Sequence, residues 1–224
     1  MQIFSLYHFF WIGVTISFVV GCYQMGRIPF SSVLHKVFRF SLFTLVAFNE
    51  ATWFIYRHYI LEIPIIRNLP LHLCDISVFI MLYTLISKCR WTGELLYFMG
   101  AVGALLAVCM PAINEVGDIQ LIAEIRYFIT HIALVGVGVY FTFGIRFFPT
   151  YSATWRSYGF VNLYALLITP LNILLGTNYF FTLAAPQQLI FLSVFPHWLF
   201  LLGVSLVFLL TFNLLYVPFI LCRR

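Results

Sequence analysis

Hydrophobic runs of about twenty residues recur along the whole chain, and they limit its possible folds more than any other feature. A run of that length is what a helix needs to cross the hydrocarbon core of a bilayer. Apolar residues make up 63% of the 224 residues and charged residues only 8%, whereas an ordinary soluble domain carries about 25% charged residues. We therefore predict an all-α, polytopic bundle of membrane helices that forms a single transmembrane domain over residues 1–224.

Charged residues, prolines and glycines divide the apolar sequence into seven predicted spans. The spans cover residues 4–23, 40–60, 70–87, 93–111, 121–143, 157–175 and 193–218. Alternate connections carry the basic residues Arg27, Lys36, Arg39, Lys88, Arg90, Arg146, Arg156, Arg223 and Arg224. The other connections hold Glu62, Glu115 and Asp118, with Arg67 as their one basic residue. Because basic residues mark cytoplasmic loops, we predict an outer N-terminus and a cytoplasmic C-terminus.

The composition also bears on partners and cofactors. A net charge of +5 distributed in this way indicates membrane topology and gives no reason to expect nucleic-acid binding. The five cysteines form no CxxC pair, so neither a disulfide framework nor a zinc site is expected. We predict a multi-pass protein of a cell membrane that uses no metal and no cofactor.

Ionisable residues inside a span are costly and therefore mark candidate functional positions. Glu50 lies near the middle of the second span, roughly 15 Å from its outer end at 1.5 Å per residue. Asn49 precedes it, and Trp53 and Arg57 follow at helical spacing, so a polar stripe leads from Glu50 toward the outer surface. The alternative is a structural carboxylate that is hydrogen-bonded between helices.

The fifth span carries a second polar group. Tyr127 and His131 are four residues apart and share one helix face, while Arg126 and Thr130 share the neighbouring face. His131 is either a functional imidazole or a hydrogen-bond donor between helices. Arg126 can extend to the outer headgroups or bind a lipid phosphate.

The stretch "NLPLHLCD", residues 68–75, is the densest polar cluster in the chain. Pro70 fits the first turn of the third span, with Asn68 or Leu69 as its cap. His72 and Asp75 are three residues apart and are expected to share one side of the helix.

Cys74 lies about 200° around that predicted helix from His72, so a base for its thiol should come from another helix. By depth, His131 is the best-placed candidate. The alternative is that Cys74 is a small apolar residue of the helix interface, which is a common use of free cysteine.

The outer loop "GTNYFFTLAAPQQ", residues 176–188, follows the sixth span. Asn172 and Asn178 lie at or near the outer end of that span, and Tyr179 begins the aromatic part of the loop. This segment is either a turn with an interfacial aromatic belt or a lid that contacts a headgroup.

Four motifs, in order, resemble one known family. They are "LPLHLC" (69–74), "RYFITH" (126–131), "NLYALLITPLNILLGTNYFF" (162–181) and "LLYVPF" (214–219). The chain resembles the YwaF-like bacterial integral membrane proteins, which are similar to the eukaryotic transmembrane-protein-164 acyltransferases. The resemblance implies a lipid acyltransferase of the bacterial cytoplasmic membrane in which a membrane cysteine carries the acyl group as a thioester. Cys74 matches that cysteine and His131 matches the family histidine, with Thr130 in place of the more usual serine.

The leading hypothesis is therefore acyl transfer at the outer side of the membrane. Cys74 would attack an ester, His131 would act as base and then acid, and Asp75, His72 or Glu50 would orient the imidazole or the proton path. Because cytosolic acyl-CoA cannot reach an outward-facing site, we predict a phospholipid donor. The acceptor would be a lysophospholipid, another lipid, or a lipoprotein amine or glycan hydroxyl.

Arg126 and Asn178 are the candidates for holding the headgroup phosphate or the oxyanion. We group Tyr127, Asn172 and Tyr179 with them as substrate-binding or supporting residues.

Two other readings remain open. In the first, the protein is a small transporter, or a subunit that binds lipid or peptide, and Glu50, Arg126 and His131 form a buried polar network. In the second, the same thiol works as a hydrolase with water as acceptor. The sequence does not specify the acyl chain, the acceptor or the oligomeric state.

Overall fold

The computed structural model of the chain describes residues 5–29, 32–111, 113, 119–186, 189, 191 and 194–221. Helices account for nearly all of this part, and no strand occurs within it. Glu115, Asp118, Arg223 and Arg224, on which part of the predicted orientation depends, lie outside the described residues.

Nine α-helical segments follow one another in the described ranges. They are α1 (Leu6–Arg27), α2 (Val33–Tyr59), α3 (Ile65–Asn68), α4 (Leu73–Ser87), α5 (Arg90–Leu95), α6 (Val102–Cys109), α7 (Gln120–Val139), α8 (Tyr151–Leu175) and α9 (His197–Leu221). A π-helical segment, Leu96–Ala101, joins α5 to α6 without a break, and a second one, Tyr140–Gly144, extends α7.

Five of these helices are long and apolar enough to cross a membrane. They are α1, the continuous helix Arg90–Cys109, the continuous helix Gln120–Gly144, α8 and α9. Their apolar side chains are largely exposed on α1, α8 and α9, as expected for surfaces that face lipid. The predicted all-α, multi-pass membrane bundle is therefore confirmed.

The second and third predicted spans are not among these five helices. α2 has 27 residues but carries Lys36, Arg39, Glu50 and Arg57. α4 has 15 residues, which at 1.5 Å per residue is about 22 Å and shorter than the hydrocarbon core. The count of seven spans and the orientation of the chain therefore stay predictions.

The central helix of the bundle is α7. It packs against α1, α2, α4, α6 and the first π-helical segment, and most of its residues are buried. α8 and α9 pack against each other and against the helix that contains α5. Because α7 touches most of its neighbours, a polar side chain on α7 can meet side chains from several helices.

The two ends of the bundle are used as landmarks below. α2 ends and α4 begins at one end, called the Cys74 end, whereas α1 and the π-helical extension of α7 end at the other, called the Arg27 end. At the Arg27 end the backbones of Gly26 and Gly144 touch, since a Cβ atom built on Gly26 would lie 2.3 Å from Gly144 Cα. Only glycine permits this approach.

A buried ion pair joins two helices at the Arg27 end. Glu94 of α5 has a side chain only 4% exposed and pairs with Arg156 of α8. Arg90 Nε lies 3.4 Å from Glu94 Oε1, and another nitrogen of the Arg90 guanidinium donates to the Phe148 carbonyl. The cluster therefore ties α5 to α8.

Candidate functional site

The start of α4 differs from the prediction. The helix begins at Leu73, and His72, with extended backbone angles, is its N-cap residue. Pro70 therefore precedes the helix, and Asn68 belongs to α3, where its amide donates to the Phe54 carbonyl at 2.9 Å. The Asp75 carboxylate accepts the His72 backbone N–H at 2.9 Å, which satisfies a free donor at the start of the helix.

His72 and Asp75 do meet, as predicted, but through the His72 backbone rather than through its ring. The ring lies against Tyr179 and Phe181, and its Nδ1 accepts the Phe180 N–H at 3.4 Å. The imidazole of His72 therefore faces the loop after α8. Cys74, the second residue of α4, lies in the first turn of that helix.

Residues far along the chain hold this segment in place. Tyr164 of α8 donates its hydroxyl to the Leu71 carbonyl at 2.6 Å. The Tyr179 hydroxyl accepts the Leu69 N–H at 3.1 Å and donates to the Ile66 carbonyl. Burial raises the pKa of Tyr179, so the hydroxyl stays protonated and able to donate. The backbone before Cys74 is therefore fixed from two directions.

Asn172 and Asn178 hold the loop after α8 in place through hydrogen bonds, and their predicted role in substrate binding stays a prediction. The fully buried Asn172 amide donates to the Tyr179 carbonyl and to the Thr182 hydroxyl, and its oxygen accepts from Thr177 Oγ1 and the Tyr179 N–H. Asn178 accepts two backbone N–H groups and donates to the Ala184 carbonyl. Both amides are engaged in holding Tyr179 and its neighbours in place.

A polar cluster joins α2 to α7 near the start of α4. Arg126 and Thr130 of α7 both donate to the Glu50 carboxylate, as their shared helix face predicted. The Asn49 amide donates to Thr130 Oγ1 at 2.9 Å, and the Arg126 guanidinium lies 5.5 Å from the centre of the Trp53 ring. Glu50 therefore has a charged partner and a neutral one within the bundle, as a carboxylate at membrane depth requires.

Cys74 and His131 come from different helices and lie around this same ion pair. The charges of Glu50 and Arg126 act on the Cys74 thiol and on the His131 imidazole. Within the described part of the chain, no hydrogen bond joins the thiol to the imidazole. The predicted pair therefore shares an electrostatic environment without a hydrogen bond between its members.

The orientation of His131 decides which of its nitrogens can take up a proton. His131 Nδ1 lies 2.7 Å from the Tyr127 carbonyl, and the rings of these two residues stack at 4.0 Å, which confirms their predicted shared face. A carbonyl oxygen only accepts hydrogen bonds, so Nδ1 carries the proton. In the neutral ring the lone pair then resides on Nε2, which is the nitrogen that can act as a base.

Arg57 belongs to the site but is missing from the predicted site residues. Its charge acts on His72, Asp75 and Tyr179, and its Nε is buried without a hydrogen-bond partner among the described residues. The signal was present in the sequence, because Arg57 follows Glu50 and Trp53 at helical spacing on the same stripe.

A groove between α2 and α7 leads to the cluster. Its volume is about 280 Å³, and its walls are Asn49, Thr52, Trp53, Tyr56, Ile122, Ile125 and Arg126. Thr52, Ile122 and Ile125 are exposed on the outside of the bundle, so the groove opens sideways toward the bilayer. It combines an apolar wall with one arginine, which suits a molecule with an acyl chain and an anionic headgroup.

Comparisons with known proteins place the chain in a family. No curated protein and no solved structure matches it. The family model of the TMEM164 family matches residues 3–216, nearly the whole chain. The protein is therefore a member of the TMEM164 family.

Proposed function

We propose that the protein is a phospholipid transacylase that carries the acyl group on Cys74 as a thioester, in a site open to the extracytoplasmic side. The observation that carries this proposal is that α4, the helix of Cys74, packs against α2 and α7, which hold the Glu50–Arg126 ion pair and His131. The charges of that ion pair act on both Cys74 and His131. Membership of the TMEM164 family also supports the proposal. The resemblance described in the sequence analysis implies a membrane cysteine that carries an acyl group, and Cys74 matches that cysteine.

In the first half-reaction, His131 Nε2 takes the proton of the Cys74 thiol as the sulfur attacks the carbonyl carbon of a phospholipid ester. A carbon–sulfur bond forms, and the carbonyl oxygen becomes an oxyanion. Collapse of this intermediate breaks the bond between the carbonyl carbon and the ester oxygen, and His131 gives its proton to the departing lysophospholipid oxygen. The Glu50 carboxylate favours the transient imidazolium, whereas its partner Arg126 disfavours the imidazolium and favours the thiolate.

In the second half-reaction, His131 removes a proton from the acceptor hydroxyl or amine as it attacks the thioester. The new ester or amide forms, the carbon–sulfur bond breaks, and the proton returns to the Cys74 sulfur. Acceptors of this chemistry include a lysophospholipid, another lipid, a lipoprotein amine or a glycan hydroxyl, whereas water in the same role gives a hydrolase.

The lipid is bound in the groove between α2 and α7. Arg126 holds the headgroup phosphate at the inner wall of the groove, and Trp53 and Tyr56 line the passage to it. In the predicted orientation the Cys74 end faces away from the cytoplasm, so acyl-CoA has no access and the donor is a membrane phospholipid. Asp75 and His72 act indirectly in this scheme, by fixing the first turn of α4.

The test is to incubate the purified protein with phospholipid and to follow its intact mass. We expect an increase by one acyl group that hydroxylamine removes, and we expect it to be lost in Cys74→Ala. Cys109→Ala is the matched control, because Cys109 is a lone, exposed thiol on a neighbouring helix. An unmodified wild-type protein in a preparation that turns over lipid would refute the thioester mechanism.

A binding or transport role is the second candidate, because Cys74 and His131 share no hydrogen bond in the described part of the chain. In that role Glu50, Arg126 and Thr130 form a polar contact for a solute, and the thiol is a packing residue. Cys74→Ala separates the two functions, since a transporter keeps its solute flux in this variant and a transacylase loses all turnover.

A further inference from the structure

A second cavity lies at the Arg27 end, away from the site around Cys74. Its volume is about 390 Å³, and its lining residues are Gly26, Arg27, Gly144, Ile145, Arg146 and Phe147. Gly26 and Gly144 are among these residues, and a side chain on either glycine would clash with the backbone of the other. Arg27 ends α1, and Arg146 comes just after the π-helical extension of α7.

The cavity holds two cationic side chains, Arg27 and Arg146. Within the described residues, neither Arg27 nor Arg146 forms an ion pair with a carboxylate. The buried carboxylate nearest this end of the bundle, Glu94, is already paired with Arg156. The Arg27 guanidinium lies 5.8 Å from the centre of the Tyr23 ring, a contact that leaves its outer nitrogens available. An anion is therefore the ligand that the cavity would attract.

The backbone of Arg146 marks the end of the helix that precedes it. Its φ angle is +63°, in the left-handed region that a non-glycine residue rarely adopts. The Phe147 N–H donates to the Phe141 carbonyl at 2.9 Å, so Arg146 is the left-handed residue that closes the helix, and it follows Gly144 at the edge of the cavity. Membrane topology alone requires basic residues near this end but does not require two of them to line one cavity.

We propose that this cavity binds a phosphate group, namely that of an anionic phospholipid in the leaflet at the Arg27 end. Two guanidinium groups match the oxygens of a phosphate and can each donate two hydrogen bonds to it. Ile145 and Phe147 supply apolar surface in the cavity, and the exposed Tyr23 ring lies beside the Arg27 guanidinium, as a headgroup with attached chains requires. A free phosphate ion shares the same chemistry but gains nothing from that surface. The proposal is independent of the chemistry at Cys74.

The test is native mass spectrometry of the purified protein from micelles that contain phosphatidylglycerol. We expect wild-type protein to retain phosphatidylglycerol, and Arg27→Gln/Arg146→Gln to retain at least tenfold less at the same lipid concentration. The control is Lys36→Gln/Arg67→Gln, which removes the same charge from exposed residues outside the cavity and should retain as much lipid as wild type. Equal retention by the two double variants would overturn the proposal.

Two measurements on wild-type protein complete the test. Inorganic phosphate at millimolar concentration should not displace phosphatidylglycerol. If it does, the cavity binds free phosphate, and the proposal of a phospholipid ligand is wrong. Phenylglyoxal, which modifies arginine, should react less with Arg27 and Arg146 when phosphatidylglycerol is present and equally with Arg67. Because this labelling needs no variant, unchanged labelling of Arg27 and Arg146 would refute the site even if the double variant failed to fold.

Discussion

Two glutamate–arginine pairs lie at opposite ends of the bundle, and they have different surroundings. Glu94 is 4% exposed, is contacted by two arginines and ties α5 to α8. Glu50 is 24% exposed, borders a groove and influences both a thiol and an imidazole. An intramembrane ion pair is therefore not by itself a sign of a functional site. The pair at Glu50 differs from the pair at Glu94 because it acts on a thiol and an imidazole together and borders a groove, whereas Glu94 acts on the single thiol of Cys89.

The two pairs should differ most in their effect on the rate of Cys74 acylation when each carboxylate loses its charge. Glu50→Gln should lower the rate of Cys74 acylation roughly 100- to 1,000-fold, which is typical for the loss of one preorganised charge in an active site. Glu94→Gln should leave the rate per folded molecule unchanged, because the charges that act on Cys74 and His131 are those of Asp75, Glu50 and Arg126. Single-turnover acylation followed by intact mass measures both. Similar rate losses in the two variants would remove the distinction between the pairs.

The second difference concerns the free energy of unfolding, for which the pair at Glu94 should matter more than the pair at Glu50. Arg156→Gln leaves the buried Glu94 charge with only Arg90, and we expect it to lower the free energy of unfolding by about 2 to 3 kcal/mol. Arg126→Gln should cost less, because Glu50 is partly exposed and keeps its bond from Thr130. Denaturant unfolding in detergent compares the two variants. A larger loss for Arg126→Gln would contradict the structural role of the Glu94 cluster.

Two buried threonines, one in the site and one away from it, should differ by a smaller amount in their effect on acyl transfer. Thr130→Val removes the hydroxyl that donates to Glu50 and should lower acyl transfer about tenfold, equivalent to one hydrogen bond to a charged group. Thr130→Ser keeps that hydroxyl and should restore the rate. Thr84→Val, which removes a buried hydroxyl bonded to Thr92 away from the groove, should leave the rate unchanged. An inactive Thr130→Ser variant would mean that the methyl group matters instead.

The smallest effect is a shift in thiol titration near the Arg27 end. Cys89 lies between α4 and α5, and a hydrogen bond from the Thr92 backbone N–H lowers the pKa of its thiol. A lowered pKa keeps the thiolate populated at more acidic pH, so alkylation of Cys89 should persist to a lower pH than alkylation of glutathione. Alkylation of each cysteine is followed by mass spectrometry between about pH 6 and pH 10, the range in which thiols titrate. An alkaline shift would contradict it.

Much of the fold could be predicted from hydrophobic length alone, but the local start of α4 could not. Five helices match predicted spans because twenty apolar residues in lipid have few alternatives to a helix. The position of Pro70 suggested an earlier helix start. The actual start at Leu73 depends on the Asp75 carboxylate and on tyrosines of the distant α8 region, which no local pattern reveals.

Helical spacing predicted which side chains of α7 share a face, but not which residue of another helix they meet. Tyr127 contacts His131, and Arg126 and Thr130 lie together, as the spacing indicates; that both donate to Glu50 depends on how α2 packs against α7. Asn172 could not be assigned in this way. Its role depends on how the loop folds back on α8, and amide groups serve equally well in a loop or in a binding site.

The bonds from α8 and its following loop to the segment before Cys74 also have a consequence for biogenesis. Tyr164 and Tyr179 contact Leu71 and Leu69, which lie more than 90 positions earlier in the chain. A ribosome makes the chain from its N-terminus, so α4 is synthesised well before these partners exist. We infer that the thiol of Cys74 reaches its final surroundings late, after most of the protein has been synthesised, and that truncation before Tyr179 leaves it without them.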